Sequence, residues 1–315
     1  MAKRTQEIYD GKDIAITFAG GPTSLYLSGD WHIGKTANHA ADALERFVTD
    51  FNADKTANKA LVITGDLLEG HLDQHHYQNA LERIEPDGKP AKTVSHQLLD
   101  FWDVMRRLEY EPNRTVLIMG NHDESAFREM GDAFGILMRS SFGEDFPHYP
   151  GFEADIRMRW PDGATFNLLT CHGGRTVGGA ATSRWWDQAI IDTRASRNLA
   201  ATLIGMDGTY PLHDGYAMGH THRLIEYSPR WTKRGFRSDW GDPLWAWNTG
   251  SFYRSGVCPW GDYQRRGMGK PYDVGYVKVT FGKDSHKIVE GKTARKVRTP
   301  RTVELRDCDT GRGGA

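Results

Sequence analysis

The stretch Leu117-Ile118-Met119-Gly120-Asn121-His122-Asp123 decides the fold class of this chain. Three apolar residues run into a glycine, and an amide, an imidazole and a carboxylate then follow in succession. The pattern predicts a buried strand that ends in a glycine turn. In an open α/β sheet, side chains beyond such a strand lie at the carboxyl edge, where ligands bind. Because polar loops commonly follow strands, the stretch gains meaning only if matching groups occur elsewhere in the chain.

The composition is that of a globular protein with a sizeable core. The chain has 315 residues, of which 38% are hydrophobic and 26% charged. No apolar run of about 18 residues is present, which argues against a membrane span, and residues 1–7 lack the apolar segment of a signal peptide. The three widely spaced cysteines, Cys171, Cys258 and Cys308, argue against a disulfide framework. Together these features predict a cytoplasmic protein.

The charge is unevenly distributed along the chain, although its net value is only −1. Residues 1–222 carry 21 lysines and arginines against 31 aspartates and glutamates, a net charge of −10. Residues 223–306 carry 18 against 8, a net charge of +10. An acidic front part suits a metal site, and a basic back part suits a polyanion surface. The alternative is that the two parts fold together and neutralise each other.

Four further apolar segments end in polar residues, as the opening stretch does. The predicted strands cover residues 24–28, 60–64, 164–171 and 215–218, and they lead into Gly29-Asp30-Trp31-His32, Gly65-Asp66, His172 and Gly219-His220-Thr221-His222. Helical spacing predicts helices at 40–51 with Asn38 as its N-cap, and at 98–108, 125–141 and 183–204. Other strands are expected at 154–160, 244–248, 251–253 and 274–281. Strands that alternate with helices predict an α/β fold.

We expect a single domain over residues 1–290, because neither a linker nor an internal repeat is evident. The insertion 173–215 lies between two of the polar motifs and is long enough to form a lid or a dimer contact. Residues 291–315 are basic and then glycine-rich, which predicts a C-terminal tail. The sequence makes no prediction of the oligomeric state.

The polar residues after the five strands share the chemistry of metal ligands. They are carboxylates, imidazoles and an amide without a thiolate, which suits divalent manganese, iron, zinc, cobalt or nickel. The ligand types do not choose among these metals, and manganese is our first expectation. The seven candidate ligands are Asp30, His32, Asp66, Asn121, His172, His220 and His222. In Asp-x-His and His-x-His, alternate side chains lie on one side of an extended segment and can reach one metal. Seven groups would serve two metals if Asp66, the only candidate in its segment, bridged them.

Two divalent ions about 3.5–4 Å apart clamp an in-line displacement at phosphorus and generate a hydroxide nucleophile from bound water near neutral pH. His122 directly follows a candidate ligand and would be available to donate a proton to the leaving oxygen, or to stabilise transition-state charge. Asp123 would either orient His122 or close the turn. A pair of metals at these strand ends would therefore suit displacement at phosphorus, with His122 and Asp123 as the catalytic candidates.

With these motifs in place, the chain resembles the calcineurin-like metallophosphoesterases. Their pattern is Asp-x-His, Gly-Asp, Gly-Asn-His-Asp/Glu, His and Gly-His-x-His, and every part occurs here in that order. The resemblance covers roughly residues 24–253 and extends to Asn248-Thr249-Gly250-Ser251, which looks like a structural strand and turn of the family. It implies a four-layer α-β-β-α sandwich, in which two mixed sheets are flanked by helices.

The resemblance also implies roles for individual residues. The first metal would be held by Asp30, His32, Asp66 and His222, and the second by Asp66, Asn121, His172 and His220. His122 would be the acid or the transition-state residue. The protein-phosphatase branch has Gly-Asp-x-x-Asp-Arg-Gly, whereas this chain has Gly65-Asp66-Leu67-Leu68-Glu69-Gly70. Because that arginine is missing, the chain is closer to the bacterial and repair-nuclease branches than to phosphoprotein phosphatases.

Several residues bear on the substrate. Arg175 and Arg223 follow ligand motifs and Arg254 follows the last turn, so each could form a fork on a phosphate or lie at the surface. A second group, His71, His75 and His76, could line the rim of the site or belong to a solvated loop. Trp185 and Trp186, in the insertion, could stack on bases, although tryptophans in a helix more often belong to the core.

Three hypotheses follow for the function. The first is a phosphodiesterase or nuclease, which the basic back part and its interspersed tryptophans favour. The second is an enzyme for a small phosphomonoester or nucleotide. The third is an inert scaffold of the same fold that binds other proteins; such scaffolds have typically lost ligands, whereas all eight expected groups are present here.

Overall fold

The computed structural model describes residues 11–34, 39–70, 92–140, 142–173, 213–227, 245–254, 273–290 and 293–309. The strands are β1 Asp13–Thr17, β2 Thr23–Ser28, β3 Asn58–Ile63, β4 Thr115–Ile118, β5 His148–Gly151, β6 Glu153–Arg159, β7 Ala164–Cys171, β8 Gly215–Met218, β9 Leu224–Tyr227, β10 Trp245–Thr249, β11 Gly275–Glu290 and β12 Thr293–Asp307. The helices are α1 Ala41–Ala53, α2 Val94–Arg107, α3 Asn121–Met130 and α4 Asp132–Ser140.

The strands form two half-sheets that join at a narrow seam. The first half has the order β5-β4-β3-β2-β11-β12, and the second has β7-β8-β10-β9, with β6 and β1 continuing from β7. Only Lys296 and Val297 of β12 pair with β7, opposite Ala164 and Thr165. Strands β2 to β5 are parallel, and so are β7, β8 and β10. Parallel neighbours end at the same edge, so each half presents its carboxyl ends together.

The alternation of side chains along β2, β3 and β4 builds two separate cores. Leu25, Leu27 and Val62 face inward and pack with residues of the second half, such as Phe166 and Trp247. The alternate residues of these strands face outward, and they are Tyr26, Leu61, Ile63 and Leu117. A strand that is buried on both faces reads as a continuous apolar run, which explains why these strands were recognisable in the sequence.

The outward face is covered by helices α1 and α2. Phe47 and Phe51 of α1 are buried, and the ring of Phe51 lies 4.9 Å from that of Tyr26 in an edge-on contact. Burying a phenylalanine contributes about 1.5–3 kcal/mol, so this face stabilises the sheet substantially. Helix α2 begins after Thr93, whose side chain accepts from His96 N and caps the helix. None of the described helices is long and apolar enough to cross a membrane.

The expected sandwich fold is confirmed. Its described layers are the helices and the two half-sheets. The helix predicted at 183–204 lies outside the described residues, as does most of the insertion 173–215.

Other expectations need correction. Helix α1 has Ala40 as its N-cap, without a side-chain hydrogen bond, rather than Asn38. Helix α3 begins directly at Asn121, so the polar motif forms a first helical turn and not a loop.

The predicted C-terminal tail is also corrected, because residues 293–307 form strand β12. This strand pairs along nearly its whole length with β11 and lies at the seam between the two half-sheets. Its apolar Val297 is buried, and its Arg298 is buried against Asp162. A boundary at residue 290 therefore falls inside a hairpin of the sheet.

Asp54 ties the end of α1 to the sheet. Its Oδ2 accepts from the Tyr26 hydroxyl at 2.8 Å and lies 2.9 Å from Lys278 Nζ. Burial would raise the pKa of this carboxyl, but its hydrogen bonds with Thr56, Lys278 and Tyr26 outweigh burial and hold the pKa below its ordinary value.

Folding therefore favours the ionised Asp54, and this stabilisation is present above the unfolded-state pKa of about 3.9 and is lost as the pH falls towards the lower folded-state value. We expect Asp54→Asn to lower the urea midpoint at about pH 7, and the difference from the wild type to shrink below about pH 4. Tryptophan fluorescence in urea measures both. The exposed control Asp103→Asn should match the wild type throughout. An Asp54→Asn difference that stays constant with pH would contradict this account.

Candidate metal centre

The five polar motifs meet at one edge of the sandwich, because each follows a strand whose carboxyl end lies there. The motif residues follow β2, β3 and β4 in the first half-sheet, and β7 and β8 in the second. Backbone hydrogen bonds join neighbouring turns: Asp30 N donates to Gly65 O at 2.8 Å, and His32 N donates to Asp66 O at 3.0 Å. The turns are thus held by one another as well as by their strands.

Five of the candidate ligands have left-handed backbone. Their φ angles are 51° for Asp30, 46° for His32, 51° for Asp66, 69° for His220 and 54° for His222. Such angles are uncommon outside glycine, and each costs of the order of 1–3 kcal/mol. The strain bends the chain sharply after each strand, so that the side chains turn inward to a common point. Strain concentrated at these residues is typical of a functional site.

The first ligand group comprises Asp30, His32, Asp66 and His222. Their ligand atoms all lie within 4.8 Å of one another. Nε2 of His222 is 3.0 Å from Asp30 Oδ1 and 3.1 Å from His32 Nε2, and His32 Nε2 is 3.8 Å from Asp66 Oδ2. Two carboxylates and two imidazole nitrogens therefore converge on a small volume, as ligands of one divalent ion do.

The second group comprises Asp66, Asn121, His172 and His220. Nε2 of His172 lies 3.1 Å from Asp66 Oδ2 and 3.0 Å from Asn121 Oδ1. Nδ1 of His220 lies 3.0 Å from the same amide oxygen and 3.3 Å from His172 Nε2. Asp66 belongs to both groups, so one carboxylate is shared between two adjacent donor sets.

The buried carboxylates give the site a negative charge that favours the binding of cations. Asp30 and Asp66 are 0% and 1% exposed, and among the described residues only histidines pair with them. A buried carboxylate needs a positive partner. Burial opposes the charging of His172, but Asp66 outweighs burial and raises the pKa of His172 to about 10. The same field would favour a metal ion in place of that proton, so the residues present fit two divalent ions.

Groups outside the two donor sets hold the imidazoles in orientation. His172 Nδ1 donates to the carbonyl of Thr64 at 2.8 Å, which leaves Nε2 directed at the site. His32 Nδ1 lies 2.9 Å from the Oε2 of Glu69, a buried carboxylate. Sequence reasoning gave Glu69 no role, and its only signal is its place three residues after Asp66 in an apolar turn. Ligand histidines commonly have such a partner at the second nitrogen.

Two glycines allow the turns to approach the carboxylates. A Cβ atom on Gly120 would lie 2.0 Å from Asp66 Oδ1, and one on Gly219 would lie 2.6 Å from Asp30 Oδ2. Any larger residue would displace a candidate ligand. The carbonyl of Gly219 also accepts from Asn248 Nδ2 at 3.0 Å, which supports the structural role expected for that segment.

His122 lies beside both ligand groups without belonging to either donor set. Its backbone N–H donates to Asp66 Oδ1 at 2.9 Å, and its Nδ1 donates to the carbonyl of Glu69 at 2.7 Å. Because a carbonyl can only accept, Nδ1 carries a proton. Burial lowers the pKa of His122, but the charges of Asp66 and Glu69 outweigh burial and raise it. A protonated imidazole at this position suits the donation of a proton.

Asp123 makes different contacts. Its two oxygens accept from the backbone N–H groups of Leu67, Leu68 and Gly120 at 2.9–3.1 Å. The carboxylate thus joins the turn after β3 to the turn after β4. Burial and the charge of Asp66 raise the pKa of Asp123 to about 7. Of the two expectations from the sequence, closing the turn fits these contacts, and a catalytic role for Asp123 stays a prediction.

The predicted substrate arginines are engaged elsewhere or lie outside the described residues. Arg254 forms a clamp between Asp42 and Asp309, with nitrogen–oxygen distances of 2.5–2.9 Å. Arg223 Nε lies 2.9 Å from Asp273 Oδ2. In this structure both arginines are engaged in ion pairs within the protein, and a phosphate fork at these positions stays a prediction. The positions outside the described residues are Arg175, His71, His75, His76, Trp185 and Trp186.

Five of the ten lysines and arginines that the structure describes in residues 223–306 pair with carboxylates of the acidic part. Cations from residues 223–306 pair with carboxylates from residues 1–222 at distances of 2.6–2.9 Å. These pairs are Arg254–Asp42, Lys278–Asp54, Arg295–Asp214, Lys296–Asp162 and Arg298–Asp162. Mutual neutralisation, the alternative raised by the sequence, accounts for these charges. The basic segments 228–244 and 255–272 lie outside the described residues.

A sandwich whose strand ends converge on buried carboxylates, imidazoles and an amide defines the class of metal-dependent hydrolases. The family model for calcineurin-like phosphoesterases matches residues 24–224, more than half of the chain. The chain therefore belongs to this family, whose members are phosphoester hydrolases, and it is an enzyme of that class.

Solved structures give distant similarities of the same kind. The calcineurin-like phosphoesterase YfkN from Bacillus subtilis has a TM-score of 0.41 and 10% identity, covering 92% of each chain. A metallophosphoesterase from Sphaerobacter thermophilus has a TM-score of 0.33 and 14% identity over 88% of each chain. The NAD nucleotidase NadN from Haemophilus influenzae has a TM-score of 0.34 and 13% identity. The match covers 93% of this chain and 53% of the nucleotidase chain. Curated proteins give no match. Nothing about the substrate follows from similarities this low.

The contact between Glu69 and His32 can be tested by substitution. We expect Glu69→Ala to weaken metal binding by about 10- to 100-fold, because His32 loses the group that orients it. Glu69→Gln keeps an oxygen that accepts from Nδ1 and should retain more of the affinity. Equilibrium dialysis with metal analysis measures both variants. Equal affinity of Glu69→Ala and the wild type would show that His32 needs no such partner.

Proposed function

We propose that the chain hydrolyses phosphoesters with two divalent ions held by the two ligand groups and bridged by Asp66. The shared Asp66 carboxylate carries the proposal, since its Oδ2 lies 3.1 Å from His172 Nε2 and 3.8 Å from His32 Nε2. The other ligands fall on either side of this carboxylate, in separate groups. Manganese is our first expectation for both positions, ahead of iron, zinc, nickel and cobalt.

When bound, two divalent ions supply Lewis acidity and make a water-derived nucleophile available near neutral pH. The residues of the chain do the rest. Asp30 and Asp66 would provide the negative charge that holds the cations, and the imidazoles with Asn121 would complete the two ligand groups. His122 Nδ1 donates to the Glu69 carbonyl, so the proton for the leaving oxygen would come from the other ring nitrogen, Nε2.

We propose phosphodiesters as the substrate class. A diester carries one negative charge at phosphorus near neutral pH, whereas a monoester carries nearly two. A monoester therefore needs additional cationic partners. Among the described residues, the arginines that the sequence offered for the substrate, Arg223 and Arg254, are already paired with carboxylates. This favours the diester. A small phosphomonoester or a nucleotide is the second candidate, and nucleic acid is one form that the diester can take.

Asp66→Asn tests the bridging role. The variant keeps the shape of the side chain and removes its charge. We therefore expect both ions to bind far more weakly and activity to fall by more than about 100-fold. Such a fall exceeds the effect of losing a residue that only orients a ligand. Metal analysis after gel filtration and hydrolysis of bis-p-nitrophenyl phosphate measure the two effects. Asp103→Asn, an exposed carboxylate on α2, is the matched control. Full activity with two bound ions in Asp66→Asn would overturn the proposed bridge.

His122→Ala tests the role of the acid. The ring lies outside both donor sets, so the variant should keep its metal content while turnover falls by about 10²- to 10⁴-fold, the usual contribution of general acid–base catalysis. Metal analysis and kcat are measured on the same preparation. Loss of metal together with turnover would instead assign His122 to the ligands.

The substrate class is tested by comparing bis-p-nitrophenyl phosphate with p-nitrophenyl phosphate, and then with labelled single-stranded DNA. We expect the diester to be hydrolysed with the higher kcat/KM. Cleavage of DNA with salt-dependent binding would identify a nuclease. Faster hydrolysis of the monoester would favour the second candidate. If no divalent ion binds even after reconstitution, the result would favour the third hypothesis, a protein-binding scaffold of this fold.

A further inference from the structure

Gln97 is a fully buried amide on helix α2 that belongs to neither ligand group. Its Oε1 accepts from the backbone N–H of Gly70 at 2.9 Å. Its Nε2 donates to the carbonyl of Gly70 at 3.3 Å and to that of Lys92 at 2.9 Å. The side chain thus satisfies both polar backbone groups of Gly70. A buried amide with this many partners is held in one orientation.

The N–H that Gln97 binds belongs to the same peptide group as the carbonyl that binds His122. Glu69 C=O and Gly70 N–H are the two polar ends of one planar unit. His122 Nδ1 donates to that carbonyl at 2.7 Å, while Gln97 Oε1 accepts from that N–H. Because the unit is rigid, fixing its N–H also fixes the direction of its carbonyl. Hydrogen bonds in such a chain also polarise one another.

Two glycines show how closely this arrangement is packed. Gly70 has a φ of 73°, and a Cβ atom there would lie 2.2 Å from the His122 carbonyl oxygen. A Cβ atom on Gly34 would lie 2.3 Å from Gln97 Cγ. The peptide and the amide therefore have little room to rotate away from His122.

We propose that Gln97 is a positioning residue that holds His122 in its Nδ1-protonated orientation through the Glu69–Gly70 peptide. This inference rests on the proposed role of His122 as the acid. In the other interpretation, Gln97 merely joins Gly70 to Lys92 and stabilises the fold. The two differ in whether the effect of Gln97 depends on His122.

A double-mutant cycle of Gln97→Met and His122→Ala separates the two interpretations. Methionine matches the glutamine in length and lacks its hydrogen bonds. On bis-p-nitrophenyl phosphate, kcat of Gln97→Met should fall by about 10- to 100-fold with a small change in KM. The fall should be larger on diphenyl phosphate, whose poorer leaving group needs the proton more. In the His122→Ala background, Gln97→Met should cause almost no further loss. Additive losses, or losses independent of the leaving group, would overturn the proposal.

A readout that does not depend on activity is the tautomer of His122 in the metal-free protein. Nitrogen-15 spectra of histidine-labelled protein, recorded at a pH at which the His122 ring is neutral, distinguish the two neutral tautomers, and His122→Ala assigns the signal. We expect the Nδ1-protonated form in the wild type and a mixture in Gln97→Met. An unchanged tautomer would overturn the proposal. If His122→Ala hydrolyses substrates as the wild type does, the proposed acid role fails, while these spectra still decide whether Gln97 holds the ring.

The matched control is Leu98→Met, a change of similar volume at the next buried position of the same helix. It should leave kcat, the leaving-group dependence and the tautomer unchanged. If Gln97→Met does not fold, Gln97→Glu takes its place, since it keeps an oxygen for Gly70 N–H and loses the two donated bonds. In Gln97→Glu the Nδ1-protonated tautomer of His122 should still predominate. Equal amounts of the two tautomers in this folded variant would overturn the proposal.

Discussion

The structure depends on one buried carboxylate, that of Asp66. It lies at the end of β3, in the interior of the first half-sheet, and it approaches histidines from both half-sheets. A charge buried to this extent destabilises the fold unless positive groups surround it. Four histidines, the backbone N–H of His122 and the narrow approach of Gly120 all follow from that requirement. The groups that form the site are thus the same groups that make the buried charge at the sheet edge tolerable.

The residues around the ligand groups hold them through backbone groups as much as through side chains. Asp123 joins two turns through three N–H groups, Thr64 directs His172 through its carbonyl, and the Glu69–Gly70 peptide lies between Gln97 and His122. Rigid peptide units transmit orientation well, which suits a site whose ligands already have strained φ angles. The strain is tolerated because neighbouring turns hold each other.

The sequence predicted the parts of this arrangement that have local signals. Buried parallel strands appear in the sequence as continuous apolar runs. The polar residues after them could be assigned to one site because parallel strands end at the same edge of the sheet. Strand β12 was missed because Lys296, four arginines and Pro300 conceal the alternation of Val297, Val303 and Leu305. The roles of Glu69, Asp123 and Gln97 depend on which backbone groups come near in three dimensions, and no spacing in the sequence reports that. The engagement of Arg223 and Arg254 by distant carboxylates was hidden for the same reason.

The central claim is that Asp66 lies between two metal ions. Anomalous diffraction from crystals of the manganese-loaded protein tests it most directly. The account predicts two peaks about 3.5–4 Å apart, one on each side of the Asp66 carboxylate. A single peak, or two peaks that do not share Asp66, would contradict it.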